Sequence, residues 1–318
     1  MNFKIIGIGS YVPPLTIDNH QLSQLVDTTD EWISTRTGIR ARHVVNEESV
    51  TDLAVKSAKA ALSDANIKAD ELDLIICSTL QGDYLTPALA CIVQGEIGAT
   101  CPGFDINAAC PGFVYGLDVA SAYISSGQAA KVLFICAETL SRHVDWQDRA
   151  TCVIFGDAAG AVVLTAGESL LARRLTCTSN KDVLNSKAPQ GNCPFSLKEE
   201  GGFVYMNGQE VYKFAVSSVG EDFEFLTKEI NLTADDIDYF ILHQANKRIV
   251  EAIRHRLKQP VEKFPTNIEN YGNTSSASIP VLLDELDKAG KLKKGQLLFI
   301  SAFGSGLSTG SYILKWDK

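Results

Sequence analysis

Two stretches of this chain repeat each other at a single spacing. Residues 65–76 read ANIKADELDLII and residues 230–241 read INLTADDIDYFI, an offset of 165. Residues 132–137, VLFICA, recur as LLFISA at 297–302, at the same offset. Two independent matches at one offset mean that one structural plan is used twice. The chain is thereby limited to a fold of two similar halves, 1–166 and 167–318. The terminal apolar runs GAVVLTA and GSYILKW align instead at an offset of 150. The first half therefore holds about 15 additional residues, around 139–155. An insertion after the C-terminal end of a strand is where α/β folds put binding elements.

Within each half, short apolar runs recur: KIIGIG, LDLIICST, KVLFICA and GAVVLTA, then DYFIL, QLLFISA and SYILKW. Runs of four to eight apolar residues suit strands covered on both faces. Helical spacing lies between them. Thr51 is a candidate cap for a helix with Val55, Ala58, Leu62 and Ala65 on one face, and Val211, Ala215, Val219 and Phe223 form a second stripe. This alternation predicts an α/β fold with largely parallel sheets. With 45% apolar residues and no Gly or Pro bias, the chain is neither disordered nor collagen-like. A net charge of −9 argues against a nucleic-acid binder. No apolar run approaches eighteen residues, so membrane insertion is not expected, and MNFKIIGIGS lacks the apolar core of a signal peptide. The eight cysteines contain no C-x-x-C, which leaves neither a zinc pattern nor a disulfide framework. Buried, reduced thiols in a cytoplasmic protein fit them best.

At the offset of 165, Cys110 in NAACPGFVYGL falls opposite Ser275 in YGNTSSASIP, and His243 falls opposite Ser78. Pro111 is a favoured first-turn residue, so Cys110 stands at a helix start, where free N–H groups and the macrodipole favour a thiolate. His243 ends the strand DYFIL, on the side where α/β folds bind ligands. Asn273 precedes a helix that begins near Ser276. Each also has a structural reading: a turn cysteine, a boundary histidine, a Gly-Asn turn. His20, His43, His143 and His255 lie in polar surroundings and read as solvated. FGSGLSTG and GIGS match phosphate and dinucleotide loops only superficially.

Taken together, these segments resemble the β-ketoacyl-acyl carrier protein synthase III family, initiating condensing enzymes of the thiolase-like superfamily. The likeness covers TDEWISTRTGIRARH (29–43), DINAACPGFVYGL (105–117), DRATCVIFGDAAGA (148–161), ILHQANKRI (241–249), NYGNTSSASIP (270–280) and SAFGSGLSTG (301–310). It implies a five-layer αβαβα fold of two similar α/β halves. The first half would carry the nucleophile Cys110, and the second His243 and Asn273. The implied reaction is a decarboxylative Claisen condensation of an acyl-CoA with malonyl-acyl carrier protein. Backbone N–H groups of Cys110 and Ser305 would form the oxyanion hole. Trp32, Arg36, Thr37, Arg149, Gln209 and Asn246 would meet CoA and its pantetheine arm. Neither metal nor other cofactor is implied, since CoA thioester and carrier protein are substrates. A homodimer is, with apolar helices such as 87–97 as candidate contacts.

The sequence departs from the family pattern at three places. Thr86 stands where a bulky aromatic often limits the acyl pocket, which predicts room for primers longer or more branched than acetyl. Ser305 replaces a frequent Gly, and Gln209 a frequent Asn. The charge of −9 also conflicts with an acidic carrier protein. Residues 247–258, KRIVEAIRHRLK, offer a local remedy, with Ile249, Ile253 and Leu257 as the buried stripe. Gln244, Lys247, Arg248, Arg254 and Lys258 are the candidate docking residues. Three other readings stand beside this one: a thiolase-like enzyme of secondary metabolism, a Cys-His-Asn hydrolase, and a catalytically silent partner subunit.

Overall fold

The computed structural model describes residues 2–188, 195 and 201–318. The first half runs β1 (Asn2–Tyr11), β2 (Thr16–Asp18), α1 (Asn19–Leu22), α2 (Asp30–Thr37), β3 (Ala41–His43), α3 (Val50–Ala65), β4 (Leu74–Ser78), α4 (Leu89–Ile97), β5 (Gly103–Ile106), α5 (Gly112–Ser125), β6 (Lys131–Thr139) and β7 (Asp157–Gly167). The second runs β8 (Leu170–Cys177), β9 (Leu184–Ser186), β10 (Val204–Met206), α6 (Gly208–Ile230), β11 (Tyr239–Leu242), α7 (Lys247–Leu257), α8 (Ile268–Tyr271), α9 (Ser278–Lys288), β12 (Leu297–Gly304) and β13 (Ser308–Lys315).

Two sheets carry the fold. One has the order β1-β7-β6-β4-β5 and the other β11-β12-β13-β8. Helices α3 and α4 cover the outer face of the first sheet, and α6 the outer face of the second, with α7 packed on α6. Helices α5 and α9 lie between the sheets and touch strands of both. The result is five layers, αβαβα. Of four apolar clusters among the described residues, three fill the gaps. The central one joins Phe113 and Leu117 of α5, Leu282 and Leu286 of α9, Phe134 of β6 and Tyr312 of β13. The other two sit under α3 and under α6.

The repeat is visible in the way helices stop. Helix α3 ends at Asn66 (φ 53°) and α6 at Asn231 (φ 56°), both left-handed, and a 3₁₀ turn follows each, at 69–71 and 234–236. Asparagine tolerates that conformation better than most residues. The insertion is also present: residues 140–156 join β6 to β7, whereas residues 305–307 suffice between β12 and β13.

Three expectations change. The sheets are mixed, not largely parallel: β4 pairs in parallel with β5 and β6, and β11 with β12, but β1–β7, β6–β7, β12–β13 and β13–β8 are antiparallel. No α-helix separates β6 from β7 or β12 from β13, and a parallel return usually needs a helical crossover. The cap of α3 is Ser49, whose Oγ accepts from Asp52 N while Asp52 answers Ser49 N; Thr51 lies inside the first turn and gives its hydroxyl to Asp83. The buried face of α3 is accordingly Leu53, Ala54, Ser57, Ala58, Ala61 and Leu62, with Val55 and Ala65 at its margin. The stripe Val211, Ala215, Val219 and Phe223 is buried as expected. Cys77, Cys101, Cys136 and Cys152 are buried and free, Cys91 and Cys177 are exposed, and Cys193 lies outside the described residues. Among the described residues no helix is long and apolar enough to cross a membrane.

Candidate active site

Two turns, one from each half, meet at the centre of the molecule. In the first, Asn107 Oδ1 accepts the Ala109 N–H at 3.2 Å, Ala109 takes φ 49°, and α5 starts at Gly112. In the second, Asn273 Oδ1 accepts the Ser275 N–H at 2.8 Å, Ser275 takes φ 51°, and α9 starts at Ser278. Local geometry therefore repeats at an offset of 166, which sets Cys110 opposite Ser276 and corrects the pairing with Ser275. The turn before α9 begins one residue later than the flanking strands imply.

Cys110 sits two residues before α5, behind Pro111. The end of β12 presses on it: a Cβ built on Gly304 would lie 2.9 Å from Cys110 Cβ and 2.8 Å from Pro111 Cδ. Only glycine lets the strand come so near. Burial pushes the Cys110 thiol up to about 12. The Ser275 hydroxyl pulls it down and the Glu138 carboxylate pushes it further up. Loss of solvent thus works against the thiolate that the helix start was expected to favour.

His243 follows β11 and is 1% exposed. Its N–H bonds Ser301 O at 2.8 Å, its ring stands edge-on to Phe303, and its Nδ1 lies 2.7 Å from Ser278 Oγ. Burial lowers its pKa to about 3, so the imidazole is neutral. Ser278 Oγ also accepts the Gln244 N–H at 3.3 Å. With the Ser278 hydroxyl donating to Nδ1, the neutral ring carries its proton on Nε2. Asn273 is held by the insertion: its N–H bonds Ile154 O at 2.9 Å, and Gly156 N bonds its carbonyl at 3.1 Å. With Oδ1 taken by Ser275, its amide N–H groups are the free end.

Cys110, His243 and Asn273 all line one cavity of about 830 Å³, together with Trp32, Arg36, Thr37, Gln209, Asn246 and Ser305. Apolar walls come from Leu80, Leu140, Ile154, Phe155 and Leu184. Trp32 has the Arg36 and Arg149 guanidinium carbons 4.7 and 4.6 Å from its ring centroid. Arg149 also donates to Asp27 O at 2.9 Å. Gly38 (φ 81°) brings the end of α2 against α7, where an added Cβ would stand 2.5 Å from Lys247 Cβ. Asn246 caps α7 through Arg248 N and donates to Arg36 O at 3.1 Å. These contacts set the nucleotide candidates beside the basic helix.

Several candidates are engaged elsewhere. Thr37 Oγ1 donates to Ile33 O and accepts from Ile39 N, so its hydroxyl is spent inside the α2 terminus. Thr86 is exposed on the 81–88 loop and does not line the cavity, which removes it from the acyl pocket of its own chain. Gln244 is 1% exposed and bonded to Leu242 O and Asn267 N, so it cannot dock a partner. Arg254 is tied to Glu251 at 2.8 Å and to Gln259 O at 3.2 Å, whereas Lys247, Arg248 and Lys258 are exposed. Ser305 Oγ donates to Leu184 O. His43 and His143 are not solvated: His43 Nδ1 bonds Pro13 O at 2.6 Å, and burial lowers the His143 pKa. Sequence reasoning passed over Glu138, Ser275 and Ser278 as working groups. Glu138 had a signal, an acid closing the apolar run VLFICAE. Ser278 had none, because only folding brings it to His243. Among the described residues no group of His, Cys, Asp and Glu is gathered to hold a metal.

Residues 104–180 match the family described as 3-oxoacyl-[acyl-carrier-protein] synthase III, and residues 227–316 match the C-terminal family of the same enzymes. A β-ketoacyl-[acyl-carrier-protein] synthase III of Clostridium acetobutylicum is 45% identical over 99% of both chains, and one of Aquifex aeolicus is 44% identical over 99% of this chain and 100% of its own. The crystal structure of the synthase III from Aquifex aeolicus VF5 superimposes with a TM-score of 0.92, covering 98% of this chain and 99% of that one. The priming β-ketosynthase of the R1128 polyketide pathway, 30% identical, gives 0.93 over 100% and 97%.

Proposed function

The chain belongs to the 3-oxoacyl-[acyl-carrier-protein] synthase III family and is an acyltransferase that condenses an acyl-CoA with malonyl-acyl carrier protein to initiate fatty-acid synthesis; we propose how its residues divide that work. Cys110 attacks the acyl-CoA thioester, holds the acyl group and releases CoA, which splits the condensation into two steps. Malonyl-carrier protein then enters. As carbon dioxide leaves, negative charge grows on the thioester oxygen, and His243 Nε2–H and the Asn273 amide donate to it. A neutral imidazole with its Nδ1 already bonded is suited to donate in this way. The new carbanion attacks the acyl-Cys110 carbonyl, whose oxyanion meets the Cys110 and Ser305 N–H groups.

The observation that carries the reading is the convergence of Cys110, His243 and Asn273, drawn from both halves, on one cavity with Trp32 and Arg36 on its wall. Trp32, Arg36 and Arg149 suit a nucleotide with phosphates, and Gln209 and Asn246 suit the pantetheine arm. The reaction needs no metal or other cofactor. Lys247, Arg248 and Lys258 form the docking face for the acidic carrier. A second copy of the chain is supported by the edge strand β5, half-buried along its length, and by Tyr84 and Leu85, 62% and 88% exposed. Free buried thiols support a cytoplasmic setting. With Thr86 outside the cavity, a primer longer than acetyl is supported by the cavity's size and apolar walls instead.

Intact-protein mass after incubation with mixed acyl-CoAs tests both parts. One acyl adduct per chain is expected, absent from Cys110→Ala. An adduct that survives in that variant overturns the nucleophile, and exclusive uptake of acetyl overturns the longer primer.

A further inference from the structure

Glu138 closes β6, is 1% exposed, and has no part in the steps above. Its Oε1 accepts from Ser276 Oγ at 2.6 Å and Ser275 Oγ at 3.2 Å, and its Oε2 accepts from Leu80 N at 3.0 Å. The Ser275 hydroxyl also stands against the Cys110 sulfur. Ser275 and Cys110 line the same cavity wall, and the Ser275 hydroxyl is bonded in turn to a buried carboxylate. The middle link is held firmly. Ser275 has a left-handed φ of 51°, and its N–H is locked to Asn273 Oδ1. A non-glycine residue keeps that conformation only where its surroundings enforce it.

We propose that Glu138 takes the Cys110 proton through the Ser275 hydroxyl, so that the thiolate forms by moving one buried negative charge rather than by adding a second. The inference rests on Cys110 as the nucleophile. Burial raises both groups, Glu138 to about 7 despite three donors and Cys110 to about 12, and the Glu138 charge is itself part of what opposes the thiolate. Transfer of the proton removes that repulsion as the thiolate appears. His243 is a poor alternative acceptor, since burial takes its pKa to about 3 and Ser278 occupies its Nδ1. A carboxyl that titrates near neutrality is suited to general-base work. The other ionisable group it bears upon is the Cys136 thiol on its own strand, which it pushes up. Asp157, on the neighbouring β7, is turned to Val45 N and to Ser141 N and Oγ. The end of β4 and the 275–277 turn present an N–H and two hydroxyls.

The protons balance. During acylation a bond forms from Cys110 sulfur to the acyl carbon, and the bond from that carbon to CoA sulfur breaks. The departing CoA thiolate receives the proton back from Glu138 through Ser275. During condensation the pair released with carbon dioxide forms the new carbon–carbon bond, and the acyl–sulfur bond breaks. One solvent proton per turnover, collected by Glu138, restores the thiol.

The test is the rate of Cys110 alkylation by iodoacetamide, assigned by peptide mass, from pH 5 to 9. In the unmodified enzyme that rate should rise through a midpoint near neutrality. Glu138→Gln keeps an acceptor for both serines but cannot take a proton. It should lose that limb and slow about 10²-fold at pH 7. Ser275→Ala, which leaves Glu138 in place, should lose the same limb, and it carries the test if Glu138→Gln fails to fold. An unchanged profile in a folded variant overturns the relay while Cys110 stands as the nucleophile. Faster alkylation in Glu138→Gln also overturns it, because the carboxylate then only repels. If Cys110 fails to react in the unmodified enzyme while other thiols do, both readings fall.

Discussion

Removal of one hydroxyl that never touches substrate should slow the decarboxylation step. Ser278 Oγ accepts the Gln244 N–H at 3.3 Å and lies 2.7 Å from His243 Nδ1, and it is 2% exposed. Ser278→Ala strands a buried N–H and a buried ring nitrogen, which should cost about 1–3 kcal/mol of stability. The kinetic effect is separable. The hydroxyl selects the ring form with its proton on Nε2, and loss of a bond worth about 1.4 kcal/mol frees the ring by roughly a factor of ten. The assay is carbon dioxide release from malonyl-carrier protein without primer. The turnover rate should fall about tenfold, and KM should hold, because Ser278 does not line the cavity. The pH profile adds a second check. With the His243 pKa lowered to about 3, protonation of the ring should not reduce the rate between pH 7.5 and 5. An ordinary histidine, near 6.5, would lose most of its neutral form over that span. An unchanged rate in Ser278→Ala, or a change confined to KM, refutes the reasoning.

Charge reversal on α7 should separate its two arginines. Arg248→Glu removes an exposed cation and should raise the KM for malonyl-carrier protein about tenfold, with acyl transfer from CoA to Cys110 retained; Arg254→Gln, which breaks an internal pair with Glu251, should lower the melting temperature and change that KM less than about twofold. Gly116→Ala should destabilise by about 1–3 kcal/mol, read as a lower melting temperature, because the added Cβ would stand 2.0 Å from Phe134 Cζ where α5 packs on β6. An unchanged melting temperature would show that the helix and ring can part without cost.

The duplicated plan, the apolar strands β1, β4, β6, β7, β11, β12 and β13, the α6 stripe, and Ile249 and Ile253 of the α7 stripe were legible because they are written in local periodicity, which survives without knowledge of neighbours; Leu257 is only half-buried. The insertion was legible by subtraction, as the difference between two offsets. What local pattern could not supply was strand direction, the one-residue shift that pairs Cys110 with Ser276, and the cap at Ser49. Each depends on how the chain turns between elements. Thr86, Gln244 and Arg254 show the same limit from another side. Motif position said what they were, but exposure and pairing decide what they can reach.

The sequence by itself carried the fold and, through its resemblance to the synthase III family, the reaction class, and it nominated Cys110, His243 and Asn273 as the reacting groups. Only the tertiary structure decided their protonation. The helix start argued for a thiolate, yet desolvation and the Glu138 charge oppose it at Cys110, and burial keeps His243 neutral. The reason is physical: ionisation depends on the solvent removed and the charges brought near, and those come from residues as distant in the chain as Gly304 is from Cys110.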